Sequence, residues 1–171
     1  MSPGGALASL ERARARGLTR YIGVSFNYFL PFENGRSGVD RMKALIQTDA
    51  FDVIQVPMSL IQVESIEAEI LPLAAERDIG VVVNFPTANG LLAQEWGVFK
   101  SIFASHVTTP YQASLLGLLL HSEVTTVLSG MSLPKFADEN CEVGDIIEKL
   151  SNEERALLRQ QVEDLGVGPC Q

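Results

Sequence analysis

Four short apolar runs constrain this chain more than any other feature: Tyr21 to Ser25, Phe51 to Val56, Ile79 to Asn84 and Thr125 to Gly130. Each is rich in β-branched residues and ends in polar or small ones, so each is predicted to be a strand. The runs are nearly continuous rather than alternating, the pattern of parallel strands covered on both faces by helices. Segments with helical spacing lie between them, and the resulting order favours right-handed βαβ crossovers in an α/β fold with about four parallel strands.

The helices are marked by their ends. A first helix is predicted from about Pro3 to Arg16, with Ala6, Leu7, Leu10 and Ala13 on one face, an Arg-rich exposed side and Gly17 as its stop. A second runs from Ser37 to Gln47 and buries Met42, Leu45 and Ile46. A third lies between Ser65 and Arg77, where Pro72 either kinks it or marks the first turn of a shorter helix. Thr109-Pro110-Tyr111-Gln112 reads as a capping box with Pro at the first helical position. A further helix opens near Pro134, and Ser151-Asn152-Glu153-Glu154 caps a last one that stacks Leu157, Leu158, Val162 and Leu165 before Gly166. The stretch from Ala93 to Val107, with Trp96, Phe99 and Phe103, is long for a connection and is expected to carry a short helix or a lid. No low-complexity segment divides the chain, so 1–171 is expected to be a single domain with a mobile tail at 166–171.

Composition narrows the partners. With 46% apolar and 20% charged residues the chain has the material for one sizeable core. Its net charge of −8 and the lack of a dense Lys/Arg stripe argue against nucleic acid and anionic membrane. Cys141 and Cys170 are far apart in sequence and read as free thiols, which suits a reducing cytoplasm. The first residues show no secretory signal, and the longest apolar stretch, Ala113 to Leu120, is much shorter than the roughly 20 residues of a membrane span. A soluble, cytoplasmic protein is expected.

In parallel sheets and barrels, ligand sites gather where the strands end at their carboxyl termini. Here those positions are Ser25, Gln55, Asn84 and Gly130, and three of the four are hydrogen-bonding side chains that could read a polar ligand. The plainer alternative is that strand ends are polar because they meet water. Gly130-Met131-Ser132 leads into a helix whose free N–H groups, with Lys135 beside them, would favour an anion. An ordinary Ser N-cap before Pro134 explains the same residues.

At these positions the chain resembles the aldo-keto reductase family. The resemblance is carried by Gly17 to Ser25, ending in Ile-Gly-Val-Ser, and by Phe51-Asp52-Val53-Ile54-Gln55-Val56-Pro57. It continues through Leu71-Pro72-Leu73-Ala74 with Ile79-Gly80-Val81-Val82, then Pro86 with Gly90-Leu91-Leu92, then Thr125 to Ser132, then Glu139-Asn140. These ordered matches, over about residues 5 to 160, imply the C-terminal half of a TIM-type (β/α) barrel. They also imply an NADP(H) cofactor lying across the strand ends. By that resemblance Ser25 and Gln55 hold the nicotinamide carboxamide, with Asn84 nearby, and Pro86 and Thr87 lie beside the pyrophosphate. Gly130, Ser132 and Lys135 surround the adenosine phosphate, and Glu139 and Asn140 meet the adenine.

Some positions depart from the family pattern. Phe26 stands where an Asn follows the strand-ending Ser, although Asn27 is next; Met58 replaces a Tyr or Asn; Phe136 replaces a basic residue that contacts the 2'-phosphate. Asn84 replaces the aromatic that stacks on the nicotinamide, and its neighbour Phe85 would point the other way in a regular strand. The family's catalytic Asp, Tyr, Lys and His belong to strands that precede the matching segment, and no residue here matches them; His106, His121 and the tyrosines read as structural or surface groups. No catalytic residue and no metal ligand is therefore assigned.

Eight strand-helix units take about 250 residues, and this chain has room for roughly half. Half a barrel leaves raw strand edges and an uncovered interior, so self-association or pairing with a complementary half-barrel is expected. Three readings follow. One is the cofactor-binding half of an NADP-dependent oxidoreductase acting on a carbonyl or alcohol, truncated or split, and not expected to turn over alone. Another is a non-catalytic relative acting by association or nucleotide binding. The last is an unrelated phosphate-binding (βα) domain. The Ala93 to Val107 segment is the one substrate-facing candidate.

Overall fold

The four runs do form strands, and the strands lie in chain order. In the computed structural model, which describes residues 5–26, 38–61 and 66–164, β1 (Gly23–Ser25), β2 (Val53–Pro57), β3 (Gly80–Asn84) and β4 (Val124–Val127) make one parallel sheet ordered β1-β2-β3-β4. Around it lie α1 (Ala6–Ala15), α2 (Gly38–Ile46), α3 (Leu71–Glu76), α4 (Leu91–Gln94), α5 (Trp96–Phe103), α6 (Pro110–Leu119), α7 (Pro134–Lys149) and α8 (Asn152–Asp164). Three predicted strands begin one or two residues late: Tyr21 is 62% exposed and the β1–β2 register starts at Gly23↔Val53, although Ile22 O already accepts from Asp52 N–H at 2.8 Å. The last ends early, although Leu128 N–H still donates to Val83 O at 2.8 Å.

Sequential strand order with crossovers of a single hand stacks the helices on one side of the sheet. That side is the core. Ile54, Val56, Val81 and Val83 are fully buried there against Met42, Ile46, Leu71, Ala74, Leu116 and Leu118. The opposite face carries Gly23, Ser25, Val53, Gln55, Gly80, Val82, Asn84 and Thr126, all half-buried or exposed, with Pro57 the buried exception at its rim. The expectation that both faces are covered is therefore wrong for the described residues. The sheet is wound one way, like a barrel wall, and not doubly. A bulge at β4 adapts it: the register steps from Val81↔Val124 to Val82↔Thr126. The extra residue, Thr125, accepts a hydrogen bond from Val81 N–H at 3.1 Å, and Val124 and Val127 both stay on the helix side.

Local chemistry explains the element ends. Gly17 closes α1 in the left-handed region at φ 73°, where a side chain would be strained. Gly23 is required by contact instead, since a Cβ there would sit 3.0 Å from Val53 O. Pro72 occupies the first turn of α3, preceded by a wider π-helical turn over Ile66–Ile70, which realises the shorter-helix alternative. The capping box at Ser151 forms in full, whereas at Thr109 only the N-cap half forms, because the Gln112 side chain bonds Thr108 N–H instead of Thr109 N–H. Thr109 Oγ1 accepts from Gln112 N–H at 3.1 Å; Ser151 Oγ accepts from Glu154 N–H at 3.2 Å, and Glu154 returns a bond to Ser151 N–H at 2.9 Å. At the start of α7 the N-cap is Leu133, not Ser132, so the Ser N-cap alternative is not what the chain adopts.

Two packing expectations need correction. α1 buries none of its residues fully, with Leu10 40% exposed and Leu7 and Ala13 half-buried, and an Arg14–Asp52 ion pair at 3.1 Å links it to the residue before β2. Leu157 is exposed while Leu158 is buried, because one step along a helix turns a side chain by about 100°. The Ala93 to Val107 stretch takes the short-helix alternative, α5, which Phe99 and Phe103, both 0% exposed, anchor in the core. Leu165, Cys170 and the tail at 166–171 lie outside the described residues, as do Pro3, Asn27, Tyr28, Ser37 and Ser65. Cys141 is exposed and free.

Candidate functional site

Parallel strands in register bring their carboxyl ends to one rim. Ser25 and Gln55 are direct cross-strand partners on the open face, and Phe26 N–H donates to Gln55 O at 2.8 Å to hold them level. Asn84 lies on the same face one pleat further along, opposite Pro57, and its carbonyl accepts from Met58 N–H at 3.1 Å. Its side-chain Oδ1 is buried with no hydrogen-bond partner among the described residues. A buried acceptor left unpaired costs roughly 1–3 kcal/mol, so this atom is a place for a donor that a ligand would bring.

The regular strand stops at Asn84. Phe85, Ala88 and Asn89 all have positive φ, at 55°, 48° and 57°. Such conformations cost on the order of 1–3 kcal/mol each in non-glycine residues and are held only by their surroundings. Phe85 consequently leaves the two-residue alternation on which its predicted orientation rested. Pro86 is buried, and its carbonyl accepts the hydroxyl of Ser114 from α6; Thr87 is half-buried, and its carbonyl accepts from Gly90 N–H at 2.9 Å and Leu92 N–H at 3.3 Å. The turn after β3 is thus pinned to α6.

One turn earlier on α6, Tyr111 faces a cavity of about 230 Å³ between the end of β4 and α7. Gly130, Ser132, Glu139 and Asn140, which the family resemblance had grouped around one ligand, line it with Ser129 and Phe136. Asn140 Nδ2 donates to Ser129 Oγ at 3.0 Å, joining the post-β4 loop to α7. Gln112 is the second tie: its Nε2 donates to Glu139 O at 2.8 Å while its Oε1 accepts from Thr108 N–H at 3.1 Å. Lys135 lies outside the lining, with its Nζ 4.9 Å from the Phe136 ring centroid. Tyr111 and Ser129 were missed at the sequence level. Tyr111 reaches the cavity because α6 packs beside α7, where Gln112 makes a hydrogen bond across 27 positions that no local pattern announces.

The ionisable groups elsewhere do other work. His121, in the turn that leads into β4 and so at the far end of the sheet from the rim, is 6% exposed. Desolvation, and then the charge of Arg159, push its pKa down to about 4, so the ring is neutral at pH 7 and its 3.6 Å approach to Glu67 is not an ion pair. Glu67 instead meets Arg159 at 3.5 Å. His106 is half-buried, and Tyr21 is exposed beneath the Arg20 guanidinium. Among the described residues no group of three His, Cys, Asp or Glu could hold a metal, and no helix is long and apolar enough to cross a membrane.

A model of the Aldo/keto reductase family matches residues 5–163. The chain belongs to that family. Solved structures agree on the fold: the thermostable aldo-keto reductase Tm1743, in complex with the inhibitor epalrestat, is 23% identical with a TM-score of 0.66, over 94% of this chain and 56% of that one. An aldo-keto reductase from Klebsiella pneumoniae in complex with NADPH is 22% identical with a TM-score of 0.66, over 96% and 54%. The holo form of AKR11C1 from Bacillus halodurans is 22% identical with a TM-score of 0.65, over 93% and 54%. No curated protein sequence matches. The four parallel strands and their helices correspond to about half of an aldo-keto reductase TIM barrel, and the chain spans little more than half the length of these relatives.

Proposed function

We propose that this chain is the C-terminal, cofactor-facing half of an aldo-keto reductase barrel and contributes the rim on which a nicotinamide dinucleotide lies. Support comes from one arrangement above all: Ser25, Gln55 and the orphaned Asn84 Oδ1 share the open face, and the Gly130 to Asn140 cavity opens at the same end of the sheet. Such a rim fits the group, because a carboxamide offers both the donor that Asn84 Oδ1 lacks and the acceptor that Ser25 and Gln55 can satisfy. When bound, the nicotinamide supplies the hydride chemistry. This chain's part is to bind and orient. Pro86 and Thr87 would flank the pyrophosphate, Ser132 and Lys135 the adenosine phosphate, and Glu139 and Asn140 the adenine.

Proton donation to a carbonyl needs an acid within hydrogen-bond reach. By the family resemblance that acid and its partners belong to the preceding half, so reduction of a carbonyl or oxidation of an alcohol would require it. The same half would cover the open face of the sheet, pair with the edges of β1 and β4, and bury the exposed stripe of α1. NADP(H) is the cofactor the resemblance brings, in a cytoplasmic setting.

Titration of NADPH by its fluorescence tests the reading. Binding should weaken about 3- to 10-fold on Gln55→Ala or Asn84→Leu, each of which removes one hydrogen-bonding group. Unchanged binding in both variants would place the dinucleotide elsewhere. No detectable binding by the folded chain would remove the proposal.

A further inference from the structure

We infer that α1 bars a second copy of this chain from closing the barrel, and so reserves the free edges of β1 and β4 for a partner of four parallel strands and three helices. The inference rests on the half-barrel part of the reading above and is independent of the cofactor.

The carrying observation is the supply of helices against the grooves they fill. A closed barrel of parallel strands has as many outer grooves as strands, and each crossover helix covers the groove between the strands it joins. Here α2 serves the groove from β1 to β2, α3 that from β2 to β3, and the α4 to α6 segment that from β3 to β4. Beyond these, α1 leads into β1 and α7 leaves β4, while α8 packs back on α5 and α6. No described strand lies past either edge. By the same handedness α1 belongs over the groove outside β1, and α7 over the groove outside β4.

Two copies meeting about a two-fold axis parallel to the strands would pair β4 of each with β1 of the other, and each seam would be one groove claimed by two helices. Packed helices need about 8–10 Å between their axes, so both cannot seat. α7 is firmly held: Val143 is 1% exposed, Asn140 is tied to Ser129 after β4, and Glu139 O to Gln112 of α6. α1 has no such seat, since none of its residues is fully buried and its Arg14–Asp52 tie is a surface ion pair. Half-buried Leu7 and Ala13 share a face with Leu10, 40% exposed, as expected of a helix whose groove lacks its outer strand. A partner with three helices gives each seam one helix: α1 over the partner's last strand, α7 over its first.

The test reads oligomeric state by sedimentation velocity without nucleotide, so its outcome is separate from the NADPH titration. The intact chain should be monomeric at about 10 μM, and a chain lacking residues 1–17 should dimerise at least about 100-fold more tightly. That shortened chain should fold, because the exposed ion pair it loses contributes little to stability. Leu10→Pro, which breaks α1 in place, should shift association in the same direction and carries the comparison if the shortened chain does not fold. Phe26 N–H is given to Gln55 O of β2, so the preceding Ser25 N–H faces the free edge of β1. Ser25→Pro removes that donor and should return the folded, shortened chain to monomer. Equal association with and without α1, whether as monomer or as dimer, overturns the bar. A dimer indifferent to Ser25→Pro overturns the assignment to the strand edges, and NADPH binding that persists in either case keeps the rim.

Discussion

Gln112 bears more of the site's architecture than any other polar residue, and removing it gives the sharpest test of how the cavity is held. It is 3% exposed and uses both ends of its amide: Oε1 accepts from Thr108 N–H at 3.1 Å and Thr108 Oγ1 at 3.2 Å, while Nε2 donates to Glu139 O at 2.8 Å. Gln112→Ala deletes these bonds; Thr108 N–H must then find water, and Glu139 O keeps only its bond within α7. Two to three net hydrogen bonds at about 1 kcal/mol each, with partial exposure of the orphans, predict a loss of about 2–4 kcal/mol. For a chain of this size that corresponds to roughly 4–16 °C in Tm. Thr109→Ala removes the N-cap acceptor and a long 3.5 Å bond from the Thr109 hydroxyl to Gln112 Oε1 but leaves the Gln112–Glu139 bond, and should cost about 1 kcal/mol, so the pair separates capping from the clamp between α6 and α7. Urea denaturation at neutral pH measures both, and adenosine-nucleotide binding should weaken in Gln112→Ala more than in Thr109→Ala. Equal costs for the two variants, or a loss below about 0.5 kcal/mol for Gln112→Ala, would refute the clamp.

Two further outcomes follow from burial. Because His121 titrates near 4 when folded against 6.5 ordinarily, the unfolded chain binds a proton between those values that the folded chain refuses. Stability should therefore fall as pH drops from about 6.5 to about 4, by on the order of 3 kcal/mol, and level off below; His121→Gln should flatten that window in urea melts, and an unchanged slope would show the ring to be solvated. Leu158→Ala should cost about 2–5 kcal/mol, whereas Leu157→Ala should stay within about 0.5 kcal/mol, and similar losses would mean that α8 is rotated from the described orientation.

Much of the site could be read before any coordinates, for a definite reason. Glu139 and Asn140 follow Gly130 and Ser132 by less than three helical turns on the same strand-turn-helix unit, so local geometry alone brings them to one cavity. Ser25 and Gln55 could be placed at the strand ends because a polar residue closing an apolar run marks such an end. Tyr111, Ser129 and the unpartnered Oδ1 of Asn84 could not be found that way. Their significance depends on which helix stands beside which strand end, and on what fails to reach them.

The same division holds for the whole chain. Residue order alone decided the element types, the parallel strands and the caps at Thr109 and Ser151, because period, branching and side-chain hydrogen bonding act over a few neighbouring positions. Tertiary structure alone decided which face of each strand is covered. It left the stripe of α1 exposed, drew Phe99 and Phe103 into the core, and kept Lys135 out of the cavity. Those outcomes turn on how far apart two segments finish, and an apolar or charged residue has the same local signature whether or not a partner arrives.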